Sequence, residues 1–297
     1  MKLEQPINIL VQRRAAIGDV IMTTGVVREL KRKYGDNANI DISTDFAEPY
    51  RNNPHIRNIF PIQQVPDVKD RWDLYFNLDD TYEYNPTIHY VENYFYRVFA
   101  DNTTLNMAVE LFPTEEDIQK VDADLTDIGN KYIVVHMRNW HWTAKNITMD
   151  VWLEVFGQLF EERADFKIVC VGGTTDYFVD HPLFVDARAK YNSQQMKYLC
   201  DHAACFVGID SGPYQCAAAS STHIVSLLTH LRPENIIPYR KYELGYNGTA
   251  IQTLEDCRGC NDTQQRPISQ LVCKKGNTPC NNNFDATAIT DAILKQL

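Results

Sequence analysis

Long apolar runs are missing from this 297-residue chain. The longest early one is Ile9 to Val11, flanked by Asn8 and Gln12, which leaves no secretory core and no segment able to span a bilayer. A cytoplasmic protein is the expectation, with peripheral contact at a membrane still compatible. A basic excess is missing too: 29 Lys and Arg stand against 39 Asp and Glu, a net charge of −10. Binders of nucleic acid usually carry a basic face, because phosphate neutralisation supplies most of their affinity, so nucleic acid is not the expected partner. Cysteine is sparse, eight in 297 residues, far from the density of a disulfide-stapled secreted domain. A Gly-x-Gly-x-x-Gly phosphate loop is also absent, which removes the main support for a nicotinamide-dependent dehydrogenase.

What is present is the composition of a globular protein, 44% hydrophobic and 23% charged, at a length that suits two domains. The charge divides unevenly. Residues 1–129 hold 13 basic and 22 acidic side chains, whereas residues 130–297 hold 16 and 17. Ile7–Val11 reads as a buried strand, Gly25–Tyr34 as a helix ending at Gly35, and Ile40–Ser43 as the next strand. That is a βαβ unit and implies a parallel sheet. Strands are also expected at Asn58–Pro61 and Leu74–Asn77. An aromatic helix at His89–Ala100 reads as core, and the acidic run Thr114–Asp127, with Asp122 and Asp124, as a solvated helix. Gly129-Asn130 is a break. A second series follows, with strands at Tyr132–His136, Lys167–Val171, Cys205–Gly208 and His223–Leu228, and helices at Met149–Glu162, Ser193–His202 and Tyr214–Ser220. Two α/β domains, 1–129 and 130–297, are therefore expected.

In open parallel sheets ligands bind at the carboxyl ends of the strands, and three loops stand there. The first, Arg13 to Val20, places Gly18 and Asp19 at a helix start, where the carboxylate is either a cap or a poised base. The second, Ile209-Asp210-Ser211-Gly212-Pro213, leads into a small-residue helix and offers a hydroxyl and backbone N–H groups suited to a diphosphate. The third carries Lys145, a point charge for a phosphate, or else an ordinary surface lysine.

Together these strings resemble glycosyltransferase family 9, the ADP-heptose:lipopolysaccharide heptosyltransferases and their relatives, over nearly the whole chain. The N-terminal signature is matched by Gly18, Asp19, Val20, Thr23, Thr24 and Leu30, the middle one by Trp142, Lys145, Asp150 and Trp152, and the nucleotide-site signature by Asp210, Ser211, Gly212 and Pro213. The resemblance implies a GT-B fold: two Rossmann-like domains with parallel sheets facing a central cleft, the first for the acceptor and the second for the nucleotide-sugar, with a final helix packing back on the first domain. It implies inverting transfer without a catalytic metal or other cofactor, from a nucleotide-diphosphate donor such as ADP-heptose to a hydroxyl of a glycan or other acceptor, as in lipopolysaccharide biosynthesis. Asp19 then maps to the general base, and Lys145, Ser211 and Gly212 to the diphosphate. Asp210 shapes that loop, Gly172 and Gly173 let the nucleotide approach, and Asp176 is placed near the ribose hydroxyls. Arg13, Arg14 and Gly18 fall on the acceptor side.

Two positions depart from the family pattern. Gln215 stands where relatives carry His, near the donor, and Ile147-Thr148 where they carry Trp-Pro, so sugar and base stay open. A protein or modified-nucleobase acceptor, and a non-catalytic nucleotide-sugar binder, are the alternatives, although a binder needs no base. The acidic first half favours a neutral or cationic acceptor unless Arg13 and Arg14 make a local exception. Finally, Cys257, Cys260, Cys273 and Cys280 have spacing compatible with a structural zinc tetrathiolate, with reduced thiols or a local disulfide as alternatives.

Overall fold

Strand β1 (Ile7–Gln12) lies between β2 (Ala38–Ser43) and β4 (Leu74–Asn77), with β3 (Ile56–Phe60) outside β2, and every pairing is parallel. The computed structural model describes residues 5–65, 69–100, 104–140, 143–240, 247–260 and 272–297. Ile9 and Val11 are fully buried, as expected of a central strand covered on both faces. The chain turns helical earlier than its sequence suggests: α1 (Ile17–Met22) precedes α2 (Thr24–Tyr34), and the two are separated at Thr23, whose hydroxyl donates to Val20 O at 2.8 Å. Helix α2 stops at Gly35, where φ is 70°, with Lys31, Arg32 and Lys33 in the last turn complementing the dipole. The aromatic helix α3 (Tyr90–Val98) buries Tyr90, Tyr94 and Phe95, while Tyr96 faces out.

The acidic helix α4 (Glu115–Ile128) corrects the expectation of a merely solvated element. Val121 is fully buried, and the acids meet partners from the second half of the chain: Asp124 pairs with Lys190 at 2.7 Å and accepts from Tyr191, and Asp122 accepts from Tyr198.

The second sheet contains β5 (Tyr132–His136), β6 (Lys167–Cys170), β7 (Phe184–Asp186), β8 (Cys205–Gly208), β9 (His223–Leu228) and β10 (Gly248–Gln252), in the order β10-β9-β8-β5-β6-β7. Counted from its own first strand this is the doubly wound order 3-2-1-4-5-6. The first sheet repeats its first four positions. Side chains alternate across β5: Tyr132 and Val134 join the cluster shared with α6 (Ser193–Asp201) and α7 (Gly212–Ala218). Ile133 and Val135 join the opposite one, with α5 (Met149–Glu162) and α9 (Ala286–Leu294), the helix that follows the one-turn α8 (Pro233–Ile236). Helix α9 thus packs on α5 and beneath β9 and β10, not back on the first sheet. Its apolar face, Ile289 and Ile293, is complementary to Val155 and Leu159, and that burial decides its place. Cys170, Cys200, Cys205 and Cys216 are buried core residues. Among the described residues no helix is long and apolar enough to cross a membrane.

The halves meet where α1 packs against α7. Glu48 accepts from Ser193 N at 3.1 Å, and Gln194 bridges Pro49 O and Phe112 N. Above this floor lies a cavity of about 650 Å³, the size of ordinary ligand clefts.

Candidate active site

Each sheet reverses its winding at one point, between β1 and β4 in the first and between β5 and β8 in the second, and the cavity is lined from both points. At the first, Asp19 occupies the third position of α1. Its Oδ2 accepts from Ala16 N at 2.7 Å, closing the helix start. Its Oδ1 accepts from Tyr82 Oη at 2.6 Å and meets Arg13 Nη2 at 3.1 Å. A carboxylate offers about four acceptor sites, two on each oxygen. Three are taken, and the remaining one, on Oδ2, stays open on a side chain that is 14% exposed and lines the cavity. The cap and the poised base are thus the same residue.

Arg13 itself is buried, donating to Leu78 O at 3.0 Å and pairing with Glu83 at 2.8 Å. Burial works against its charge, but Tyr94, Asp19, Tyr82 and Glu83 together hold its pKa above the ordinary value. The expectation that Arg13 and Arg14 offer positive charge to an acceptor is corrected: Arg13 is spent on Asp19 and Glu83, and Arg14 points to solvent and lines no part of the cavity. Burial also pushes the Glu83 carboxyl and the Tyr82 hydroxyl up, so Tyr82 remains a proton donor to Asp19.

At the second point the polar groups are closed on one another. Lys145 Nζ stands 2.5 Å from Asp210 Oδ2, and Gln215 Nε2 donates to Asp210 Oδ1 at 3.2 Å. Burial opposes ionisation of Asp210, yet Lys145, Gln215 and Arg138 outweigh it and hold its carboxyl below the usual range. The 3-10 turn carrying Lys145 is fixed from beneath, with Thr229 Oγ1 and His230 Nδ1 both on Ala144 O, and reciprocal amide bonds between Trp140 and Asn146 bracket it. Trp142 lies outside the described residues.

Ser211 caps α7, its Oγ accepting from Tyr214 N, and lies 2.9 Å from His136 Nδ1. The other ring nitrogen, Nε2, is 3.1 Å from Asp176 Oδ2. Burial lowers the His136 pKa, so the ring is neutral; burial resists the Asp176 charge, but bonds from His136, Asn139 N and Gly173 N hold that carboxyl low. A carboxylate only accepts, so Nε2 carries the ring hydrogen and Nδ1 accepts from the Ser211 hydroxyl. The proton expected to reach a diphosphate is therefore committed to His136, and Asp176 is a clamp on His136 and the Gly173 turn. Gly172 sits at φ 124°, and any Cβ there would collide with the Asp176 carboxylate and the His136 ring. Gln215 is buried behind Asp210 and is not among the lining residues. Gly18, Gly173 and Gly212 line the cavity, as does Pro213.

Trp140 opens the loop that carries Lys145, whereas the sequence does not announce Tyr82, His136 or Arg138 as site residues. The strand-end rule could have found His136 and Arg138, since both stand where β5 delivers the chain to the cleft. Outside the lining of the cavity, Glu255, Asp256 and Cys257 offer atoms within 4.8 Å of one another. Lys275 Nζ lies 2.6 Å from both carboxylates, so a cation already answers that group.

The family model of glycosyltransferase family 9 (heptosyltransferase) matches residues 73–261. No curated protein matches in sequence. A family 9 glycosyl transferase from Veillonella parvula DSM 2008 superposes with a TM-score of 0.74 at 15% identity, over 100% of this chain and 99% of that one. ADP-heptose lps heptosyltransferase II of E. coli gives 0.70 at 15% identity, with 98% of each chain covered. The iron-containing dodecameric glycosyltransferase TibC of enterotoxigenic E. coli H10407 gives 0.70 at 15%, over 100% of this chain and 80% of that one. These likenesses carry the GT-B fold, and with more than half of its length matched by the family model the chain belongs to glycosyltransferase family 9.

Proposed function

We propose that this protein moves a sugar, heptose or a close relative, from a nucleotide-diphosphate donor to an acceptor hydroxyl, with inversion and without a catalytic metal. In this reading residues 1–129 take the acceptor and residues 130–297 the donor. One observation carries it: Asp19 keeps a single open acceptor site, on Oδ2, in a cavity that the start of α7 also lines. Displacement at an anomeric carbon needs a base for the incoming hydroxyl and electrostatic relief for the departing diphosphate. Asp19 Oδ2 takes the hydroxyl proton, and the backbone at Gly212 receives the leaving group. Gly172 and Gly173 leave room for the nucleoside. TibC has been solved with ADP-D-beta-D-heptose, which favours an adenine nucleotide. With Arg13 neutralised, the acidic first half favours an uncharged glycan as acceptor.

Asp19→Asn is expected to lower transfer by about 100- to 10,000-fold while leaving nucleotide binding intact, the contribution of a positioned base. Single-turnover kinetics alongside nucleotide titration checks both halves; transfer at near wild-type rate sinks the assignment.

The four C-terminal cysteines are proposed to hold one structural metal. Cys280 is buried, and burial together with Cys260, Cys257 and Cys273 pushes its thiol up to about 12; among the described residues the four sulfurs do not form a group within 4.8 Å, so a metal would have to draw them together. Such a cluster is stable as thiolates only around a cation. Zinc suits four thiolates, and TibC is described as iron-containing. Elemental analysis of reduced protein is expected to find about one zinc or iron per chain.

A further inference from the structure

The cleft holds a second basic group, one that makes no ion pair among the described residues. Arg138 follows β5 and lines the cavity, with its guanidinium 5.0 Å from the Trp140 ring centroid. Its Nη1 donates to the backbone carbonyl of Asp210 at 3.2 Å. The two nearest acids are otherwise engaged, Asp210 by Lys145 and Gln215 and Asp176 by His136, Asn139 N and Gly173 N. Among the described residues no carboxylate comes within 4.0 Å of Arg138 in an ion pair. Burial lowers its pKa, the sign of a cation held partly out of water. The contrast with Lys145 is sharp. Lys145 is buried against a carboxylate and the pair is neutral, whereas Arg138 keeps a full charge and a planar fork facing the space where Ser211 has no proton to give.

We propose that Arg138 is the group that grips the donor's diphosphate, binding two of its oxygens at once and stabilising their charge as the sugar leaves. A guanidinium presents paired N–H groups that match phosphate, and a site shielded from water strengthens each bond. Trp140 holds the fork flat by stacking, and the bond to Asp210 O fixes its other edge. The Lys145–Asp210 pair then serves as the rigid base of the loop. This inference rests on the donor-site reading above.

The test is a titration, by thermal shift and calorimetry, of the full chain with ADP, GDP, UDP, CDP and TDP and the matching nucleosides. Wild type is expected to bind one diphosphate more tightly than its nucleoside. R138Q should weaken that diphosphate by about 10- to 100-fold, the worth of one or two charge-assisted bonds, with nucleoside affinity unchanged. An equal preference for diphosphate over nucleoside in R138Q overturns the proposal and spares the donor site. If wild type responds to no diphosphate, the donor-site reading falls and the proposal with it. Should R138Q fail to fold, R138K decides: an ammonium cannot span two oxygens as a fork does, so unchanged diphosphate affinity in R138K overturns the proposal.

Discussion

The two winding-reversal points are built from the same parts, an aspartate, a cation and a glycine at the start of a helix, yet they end in opposite states. Around Asp19 one guanidinium, that of Arg13, serves two carboxylates, Asp19 and Glu83, and the acceptor site left on Asp19 faces the cavity. Asp210 is paired with Lys145 at 2.5 Å, and the neighbouring Ser211 hydroxyl is tied to His136. The difference teaches that the local balance of charge, not the residue type, separates a reactive acid from a structural one. An acid that shares its cation with a second acid can take a proton; one matched by a cation holds a loop in shape.

That contrast can be broken by experiment. Asp210→Asn is expected to cost about 3–5 kcal/mol of stability, because it strands the buried Lys145 charge. Asp19→Asn, on a cavity-facing side chain, should cost far less; urea denaturation of both variants compares them, and equal losses would erase the distinction. A smaller effect concerns acid. His136 and His230 are buried neutral beside the second loop, His230 lowered to about 3 chiefly by burial and then by Lys145. Their unfolded forms take protons below about 6.5 more readily than their folded forms, so stability is whole above about 6.5 and declines as pH falls below it, for His230 until about pH 3 and by up to about 1.4 kcal/mol per pH unit. Melting at stepwise lower pH should show this decline, and hydrogen exchange should show the Asp210 loop opening before the Asp19 loop. The smallest effect tests Tyr82. Tyr82→Phe removes one donor to Asp19 Oδ1 and should lower transfer by about 10-fold in single-turnover kinetics, the worth of one hydrogen bond to a charged group. An unchanged rate would mean that Tyr82 only packs against Tyr90, whose ring centroid is 3.9 Å away.

Much of this was legible beforehand, for identifiable reasons. Strands β5 and β9 and helix α5 fall on their expected residues because continuous apolar runs and a clean 3.6 period leave little choice. The α1 segment reads as loop, since Ala-Ala-Ile-Gly lacks a side-chain cap and Asp19 supplies it from three residues inside. Strand β7, three residues long, and β10, with Gly248 and Thr249 at its head, are too weak to announce themselves. Asp19, Lys145 and Asp210 were found because each sits in a contiguous string. Tyr82 was not, because it is 63 residues from the carboxylate it holds and only the β1–β4 pairing brings them together. Ser211 was located and its hydroxyl misassigned, since a strand-ending histidine gives no hint that it will claim that proton. Trp152, part of a matching motif, proves to be core, stacked on Phe156.

The contact of α1 with α7 carries one more consequence. A Cβ on Gly212 would come 2.7 Å from Ile17 Cγ2, and one on Gly18 would stand 3.4 Å from Gly212 N and from Gln215 Cγ. The width of the gap between proton acceptor and phosphate cradle is therefore gauged by atoms that are not there. A methyl group at Gly212 would act as a shim between the two lobes, widening the reach a substrate must bridge while leaving every charged group unchanged.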